Sequence, residues 1–315
     1  MKTRQPKIVV YSPNQAKDYE NMIRKQGYTN VFSASSPAEV KEIIADTEIL
    51  LCWKFPLHLL SETDSIKWIQ SLGAGVDDLV SSPHVSKQSQ LTRIVDQFGV
   101  PIAEYVFSYF LHFNQRITAI QSAQKEKKWA PFEPELLSGK TIGIAGLGSI
   151  GGEMIRKARA FDMKIHGLSV SGKQAQFVDK HFHPDEWREF VKELDYLVLV
   201  LPFTENTYHV VNRDILLAMK PSAYLVNVGR GQVVAEDDLI DVLKSGHLRG
   251  AVLDVFEHEP LSEESPLWEM PNVYVTPHLS GISTPSRVGH FFLENLKRYI
   301  NEEELAGIVD RNSGY

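Results

Sequence analysis

Between Thr141 and Gly151 the chain reads Thr-Ile-Gly-Ile-Ala-Gly-Leu-Gly-Ser-Ile-Gly: a β-branched run entering G-x-G-x-x-G, followed by Glu153-Met-Ile-Arg-Lys-Ala-Arg-Ala-Phe with helical periodicity. A glycine triplet that opens a helix directly after a strand is the arrangement that binds a dinucleotide. Gly146 would permit the tight turn, and Gly148 would let backbone N–H groups approach the pyrophosphate. Gly151 would bring the helix close to the sheet, with Ser149 and Ile150 in the first helical turn. A purely structural strand-to-helix turn is the plainer alternative. The next strand should end in an acid that bonds the adenine ribose 2′-hydroxyl, but the chain there runs Gly167-Leu-Ser169-Val-Ser171-Gly-Lys173. Without the carboxylate, repulsion toward a 2′-phosphate is relieved, and Lys173 could neutralise it. NADP is therefore expected ahead of NAD, the alternative being a surface Lys173 and a loose cofactor choice. Further on, Arg230, Glu259 and His278 stand just past three apolar runs, where open parallel sheets hold their ligands. Taken singly, each also fits a surface cation, a turn before proline and a capped loop residue.

Nine short, mostly β-branched runs must position these residues: 7–11, 48–53, 68–72, 141–146, 163–168, 196–201, 223–228, 251–255 and 273–276. They are continuous rather than alternating, as in strands buried on both faces of parallel sheets with crossover helices. The class is α/β, although an eight-fold barrel shares this alternation. The stretch from Pro101 to Trp129 reads as one long helix, with proline near its first turn and aromatic positions crowding one side. It ends in the basic cluster 125–128, read as a solvated helix end, and the break Trp129-Ala-Pro-Phe-Glu-Pro. A new βαβ run follows, which favours two α/β blocks over one barrel.

Composition narrows the partners. The 315 residues are 43% hydrophobic and 23% charged, with a formal net charge of −7, so the chain is globular and has no global attraction to nucleic acid or an anionic membrane. Its single cysteine, Cys52, and the lack of Cys/His clusters point to a reducing, cytoplasmic setting without a structural metal. The apolar run near the basic N-terminus is too short for a signal-peptide core. The longest membrane candidate, 103–113, is interrupted by Glu104, Ser108 and His112.

Six pieces in order across the chain resemble the D-isomer-specific 2-hydroxyacid dehydrogenases: Leu72-Gly-Ala-Gly-Val-Asp77, the glycine loop 146–151, Leu201-Pro-Phe-Thr204 with Thr207, Asn227-Val-Gly-Arg230-Gly, Leu253-Asp-Val-Phe-Glu-His-Glu259-Pro260 and Thr276-Pro-His278. Within that family the chain looks most like the compact glyoxylate/hydroxypyruvate reductases, including Cys52-Trp53 and the closing Val309-Asp-Arg-Asn-Ser-Gly-Tyr315.

The resemblance implies two Rossmann-like domains with parallel sheets: a discontinuous substrate domain from 1–97 and 287–315, and an inserted dinucleotide-binding domain, 98–286. It further implies reduction of a small 2-ketoacid to the D-2-hydroxyacid, and a homodimer. Arg230 would hold the substrate in the fixed fork of its guanidinium. His278 would donate a proton to the ketone oxygen, and Glu259 would orient the imidazole and favour its protonated form. The N–H groups of Ala74 and Gly75 would receive the substrate carboxylate. Trp53 would wall the pocket or else serve as a core indole. Pro202, Thr207 and Val228 would line the cofactor, and Asp254 would meet its nicotinamide end. The same pattern also fits dinucleotide-sensing corepressors, which carry extra docking segments, and D-lactate or phosphoglycerate dehydrogenases.

Overall fold

The structure, a computed structural model, describes residues 5–311. The N-terminal Met1–Arg4 and the closing 312–315 lie outside the described residues. The chain divides into two compact units, one formed by residues up to Gln97 together with those from Ser283 onward, the other by Phe98–Ile282.

The first unit holds a five-stranded parallel sheet: β1 (Ile8–Tyr11), β2 (Val31–Ala34), β3 (Ile49–Cys52), β4 (Trp68–Ser71) and β5 (Gln90–Thr92), in the order β2-β1-β3-β4-β5. The order reverses at β1/β3, a topological switch point where open sheets leave a crevice outside the strand ends. Helix Pro285–Ile300 returns to this sheet, and one tryptophan shows why. Trp68 is fully buried and its ring stacks against Phe292 and Tyr299, with centroids 5.4 and 5.3 Å away. Its Nε1 donates to Thr92 Oγ1 at 2.7 Å, and Thr92 donates on to Gln70 Oε1, which also receives Asn295 Nδ2. Each aromatic pair adds about 1 kcal/mol beyond the area it buries. Ser283, at the start of the returning segment, donates its Oγ to Leu72 O at 2.6 Å.

The second unit holds seven parallel strands: β6 (Thr141–Ala145), β7 (Lys164–Leu168), β8 (Lys180–Phe182), β9 (Tyr196–Leu199), β10 (Tyr224–Asn227), β11 (Gly250–Leu253) and β12 (Val273–Val275). Their order, β12-β11-β10-β9-β6-β7-β8, is the doubly wound Rossmann order extended by one strand, with its switch point between β6 and β9. Strands β6, β9, β10 and β11 are buried at every position, which explains their unbroken apolar runs.

The single long helix expected from Pro101 is instead two, Gly99–Asn114 and Ile117–Lys125. Arg116 sits between them in the left-handed region, φ +48°. The first helix buries Ile102, Val106, Phe107, Phe110 and Phe113, with Phe113 stacked on Tyr224 at 4.2 Å. The second buries none of its residues, so packing stops where the apolar side stops and no force extends the first helix axis. Three strands were absent from the expected set, β2, β5 and β8, each only three or four residues long. Among the described residues no helix is long and apolar enough to cross a membrane.

Candidate active site

Strand order converts scattered sequence positions into a row. Arg230 follows β10, Glu259 lies in the loop after β11 and His278 follows β12, and these three strands are consecutive neighbours. Continuing along the same sheet, Pro202 and Thr207 follow β9, the glycine turn follows β6 and Ser169 follows β7. Neighbouring strands are about 4.8 Å apart, so the row from Ser169 to Arg230 crosses three gaps, about 14 Å, along the C-terminal edge.

The glycine turn has the clearances the triplet requires. Gly146 has φ +105°, and a Cβ on it would lie 2.8 Å from Val200 O. A Cβ on Gly151 would lie 2.2 Å from Gly146 O, so the helix seats tightly on the turn. Around Gly148 the space is open: a Cβ there meets nothing within 4 Å among the described residues. Helix Ser149–Ala160 begins with no side-chain cap, leaving its first N–H groups aimed past Gly148 with the positive end of the helix dipole. The residues present therefore fit a dinucleotide pyrophosphate. Gln174 shapes the same turn, donating its Nε2 to Leu147 O and Gly148 O, both at 2.9 Å. No sequence signal marked it. Ser169 is half-buried and Ser171 and Lys173 are exposed on the following loop.

Thr207 locks the turn after β9, its Oγ1 accepting from Thr204 N at 2.8 Å and lying 2.8 Å from Pro202 O. Val228 is buried and donates its N–H to Leu199 O. The turn bearing Arg230 is held by Asn227, whose Nδ2 donates to Arg230 O at 2.9 Å and whose Oδ1 accepts from Gly229 N at 3.1 Å. Asn227 belonged to the sequence signature without a role; its N-x-G spacing is the signal of a side-chain-closed turn. The flanking glycines are steric necessities. A Cβ on Gly229 would lie 2.7 Å from Leu201 O, and one on Gly231 would lie 2.0 Å from Phe256 O.

His278 Nδ1 lies 2.9 and 3.1 Å from the two oxygens of Glu259, with both side chains about a quarter exposed. Its backbone is left-handed, φ +54°, a conformation that needs support from its surroundings. Asp254 supplies it. This residue has no exposed surface; its Oδ1 accepts from Thr276 Oγ1 at 2.6 Å and Leu279 N at 2.9 Å, its Oδ2 accepts from Ser280 N at 2.9 Å, and its backbone O accepts from His278 N at 2.9 Å. The carboxylate of Asp254, expected from the sequence to meet the nicotinamide end, holds the loop that carries His278. Thr276 in turn lies 2.7 Å from Tyr105 OH, whose ionisation burial pushes upward, so the phenol remains a donor.

In the first unit, Trp53 follows β3 at the switch point and its indole lies on Gly73, where a Cβ would meet the ring at 2.2 Å. Trp53 is half-buried rather than a core side chain. Arg93 Nη1 donates to Ala74 O at 3.2 Å and Gly73 N donates to Ser71 Oγ at 3.1 Å. Among the described residues nothing accepts from the N–H groups of Ala74 and Gly75.

Residues 107–280 match the family model described as D-isomer specific 2-hydroxyacid dehydrogenase, NAD binding domain. The chain is 33% identical over 271 residues to glyoxylate/hydroxypyruvate reductase A of Escherichia fergusonii, covering 84% of this chain and 86% of that one. Among solved structures, a D-isomer specific 2-hydroxyacid dehydrogenase family protein from Aeromonas salmonicida is 32% identical with a TM-score of 0.91, over 98% of this chain and all of that one. The NADPH-dependent glyoxylate/hydroxypyruvate reductase of Sinorhizobium meliloti, solved with NADP and sulfate, is 28% identical with a TM-score of 0.88, over 99% of this chain and all of that one. The chain belongs to the D-isomer specific 2-hydroxyacid dehydrogenases, a family of NAD(P)-dependent oxidoreductases.

Proposed function

We propose that the protein reduces a small 2-ketoacid of the glyoxylate or hydroxypyruvate type to the D-2-hydroxyacid, using NADPH in preference to NADH. The observation that carries this is a guanidinium, a carboxylate and an imidazole just past three consecutive strand ends, on the same sheet as a glycine turn with room for pyrophosphate. Relatives named as glyoxylate/hydroxypyruvate reductases and a neighbour solved with NADP support the substrate class and the cofactor.

Gly148 and the helix that follows it would hold the pyrophosphate, and Ser169, Ser171 and Lys173 the ribose end. When bound, the reduced nicotinamide supplies a hydride equivalent to the ketone carbon. Arg230 holds substrate oxygens in its fork, and its attraction grows as negative charge gathers on the ketone oxygen. With Nδ1 tied to Glu259, the imidazole of His278 delivers its proton from Nε2 to that oxygen. The amides of Ala74 and Gly75 receive the carboxylate, and Trp53, lying on Gly73, limits the substrate to a short side chain. The working form is a homodimer in the cytosol, a reducing setting that suits a chain whose one cysteine is buried.

The test follows NADPH and NADH oxidation by absorbance against glyoxylate, hydroxypyruvate, pyruvate and bulkier 2-ketoacids. The expected result is turnover of glyoxylate and hydroxypyruvate ahead of the bulkier 2-ketoacids, with a higher kcat/KM for NADPH. Absence of oxidation with every ketoacid would remove the enzymatic reading and leave a dinucleotide-binding regulator.

A further inference from the structure

Ser169 stands at the end of β7, where a Rossmann sheet places the ribose 2′ position. One strand further, at the sheet edge, β8 carries His181, with His183 just beyond it. The two-residue period of a strand sends these imidazoles to one side and Phe182 to the other, where it packs against Phe190 and faces His166. His181 Nε2 lies 2.9 Å from Ser169 Oγ, and its ring meets that of His183 edge to face at 4.9 Å. The loop between β7 and β8 bends over it: Gly172 has φ +62°, and a Cβ there would lie 3.8 Å from His181 Cε1.

We propose that His181 is a specificity-determining residue that, when protonated, pairs with the 2′-phosphate of NADPH beside Ser169, Ser171 and Lys173. The proposal rests on the cofactor reading above and adds a residue and a proton to it. The surrounding charges permit it. Lys173 is exposed on the covering loop. Asp179 is bound to Arg159 at 2.9 Å and to Ile165 N, Lys180 to Glu193 at 2.8 Å, and Glu186 accepts from His183 N at 2.7 Å. Asp179, Glu193 and Glu186 are thus engaged, while the hydroxyl and imidazole meet at the strand end. A phosphate monoester carries close to two negative charges near neutrality, so a phosphate beside Ser169 favours the proton-bearing form of His181. NADPH should then bind with uptake of a proton. NADH, which has only a hydroxyl at that position, should not.

Calorimetry on the whole protein tests this with NADPH, NADH and the fragments adenosine 2′,5′-bisphosphate and AMP, in buffers of different ionisation heat between about pH 6.5 and 8.5. NADPH and the bisphosphate are expected to weaken several-fold as pH rises and to take up protons, while NADH and AMP stay flat. His181→Gln keeps an amide for Ser169 but cannot be charged; it should bind NADPH roughly fivefold to tenfold more weakly, the scale of one lost charge-assisted bond at a partly exposed site, without proton uptake. His181→Arg should restore NADPH binding without the pH slope. NADH binding within about twofold of the wild type in both variants reports an intact fold. Unchanged NADPH and bisphosphate binding by His181→Gln, or equal proton uptake by it, overturns the proposal alone. Failure of the wild-type protein to bind either dinucleotide overturns the cofactor reading and this proposal together.

Discussion

His278 and Glu259 meet at 2.9 Å because two loops from neighbouring strands converge, and the pairing engages Nδ1, so the proposed proton transfer would use Nε2. Removing the imidazole should therefore affect the proton step and little else. His278→Ala is expected to lower kcat by about 10²–10⁴-fold, the range for a positioned acid, while the dissociation constant for NADPH measured by fluorescence titration stays within about twofold. An unchanged kcat would assign the proton to another donor. Arg230 differs from an ordinary surface cation in that its two neighbours must be glycine, Gly229 lying against Leu201 and Gly231 against Phe256. Cys52 illustrates the opposite case. Burial pushes its thiol well above the ordinary range, and the residue works as a small core side chain at the end of β3.

At the scale of elements, what the sequence made legible was whatever local spacing encodes. The four fully buried strands of the second unit announce themselves as apolar runs, and the glycine triplet announces its turn because each glycine answers a steric demand that recurs wherever a strand enters a helix over phosphate. The break at Arg116, the edge strand β8 and the grip of Asp254 on the His278 loop depend on partners far away in sequence, which no local pattern records. His166 is another such case. Alternation puts it at the centre of β7, where it is buried and its Nδ1 has no partner among the described residues. Burial, aided by Lys180, holds its ionisation below the ordinary histidine value of 6.5. The native ring therefore stays neutral under conditions where the unfolded chain takes up a proton, and stability should fall as pH drops below 6.5. His166→Phe, which can keep the ring contact with Phe182, removes both the titration and the orphaned nitrogen. Thermal unfolding should show the variant gaining stability over the wild type at acidic pH and differing little at pH 8, whereas parallel acid limbs would place the titrating group elsewhere.

For the whole molecule, the net charge of −7 means that both proposed ligands approach an unfavourable background. They must be held by local donors: backbone N–H groups at two glycine turns, Arg230 and the cations near Ser169. The same surface carries an anomaly that charge does not explain. Helix Ile117–Lys125 buries none of its nine residues, Ile120 and Leu111 are 43% and 38% exposed, and Trp129 just beyond is 97% exposed. An isolated helix of that length is marginal in water, since nucleation is unfavourable and only packing makes it persist. A second copy of the chain covering this region would supply the missing contacts, consistent with the proposed homodimer. The substitutions Ile120→Asp and Trp129→Ser, made together, place a charge and a hydroxyl where apolar cover is needed and touch nothing in the cofactor or substrate sites. Analytical ultracentrifugation at micromolar concentration should give the wild type about twice the 35.6 kDa chain mass and the double variant a mass near 35.6 kDa. The wild type should also melt at a temperature that rises with protein concentration, a dependence the variant lacks. A monomeric wild type, or a variant that keeps the dimer mass, would mean that this helix stands exposed for some reason other than self-association.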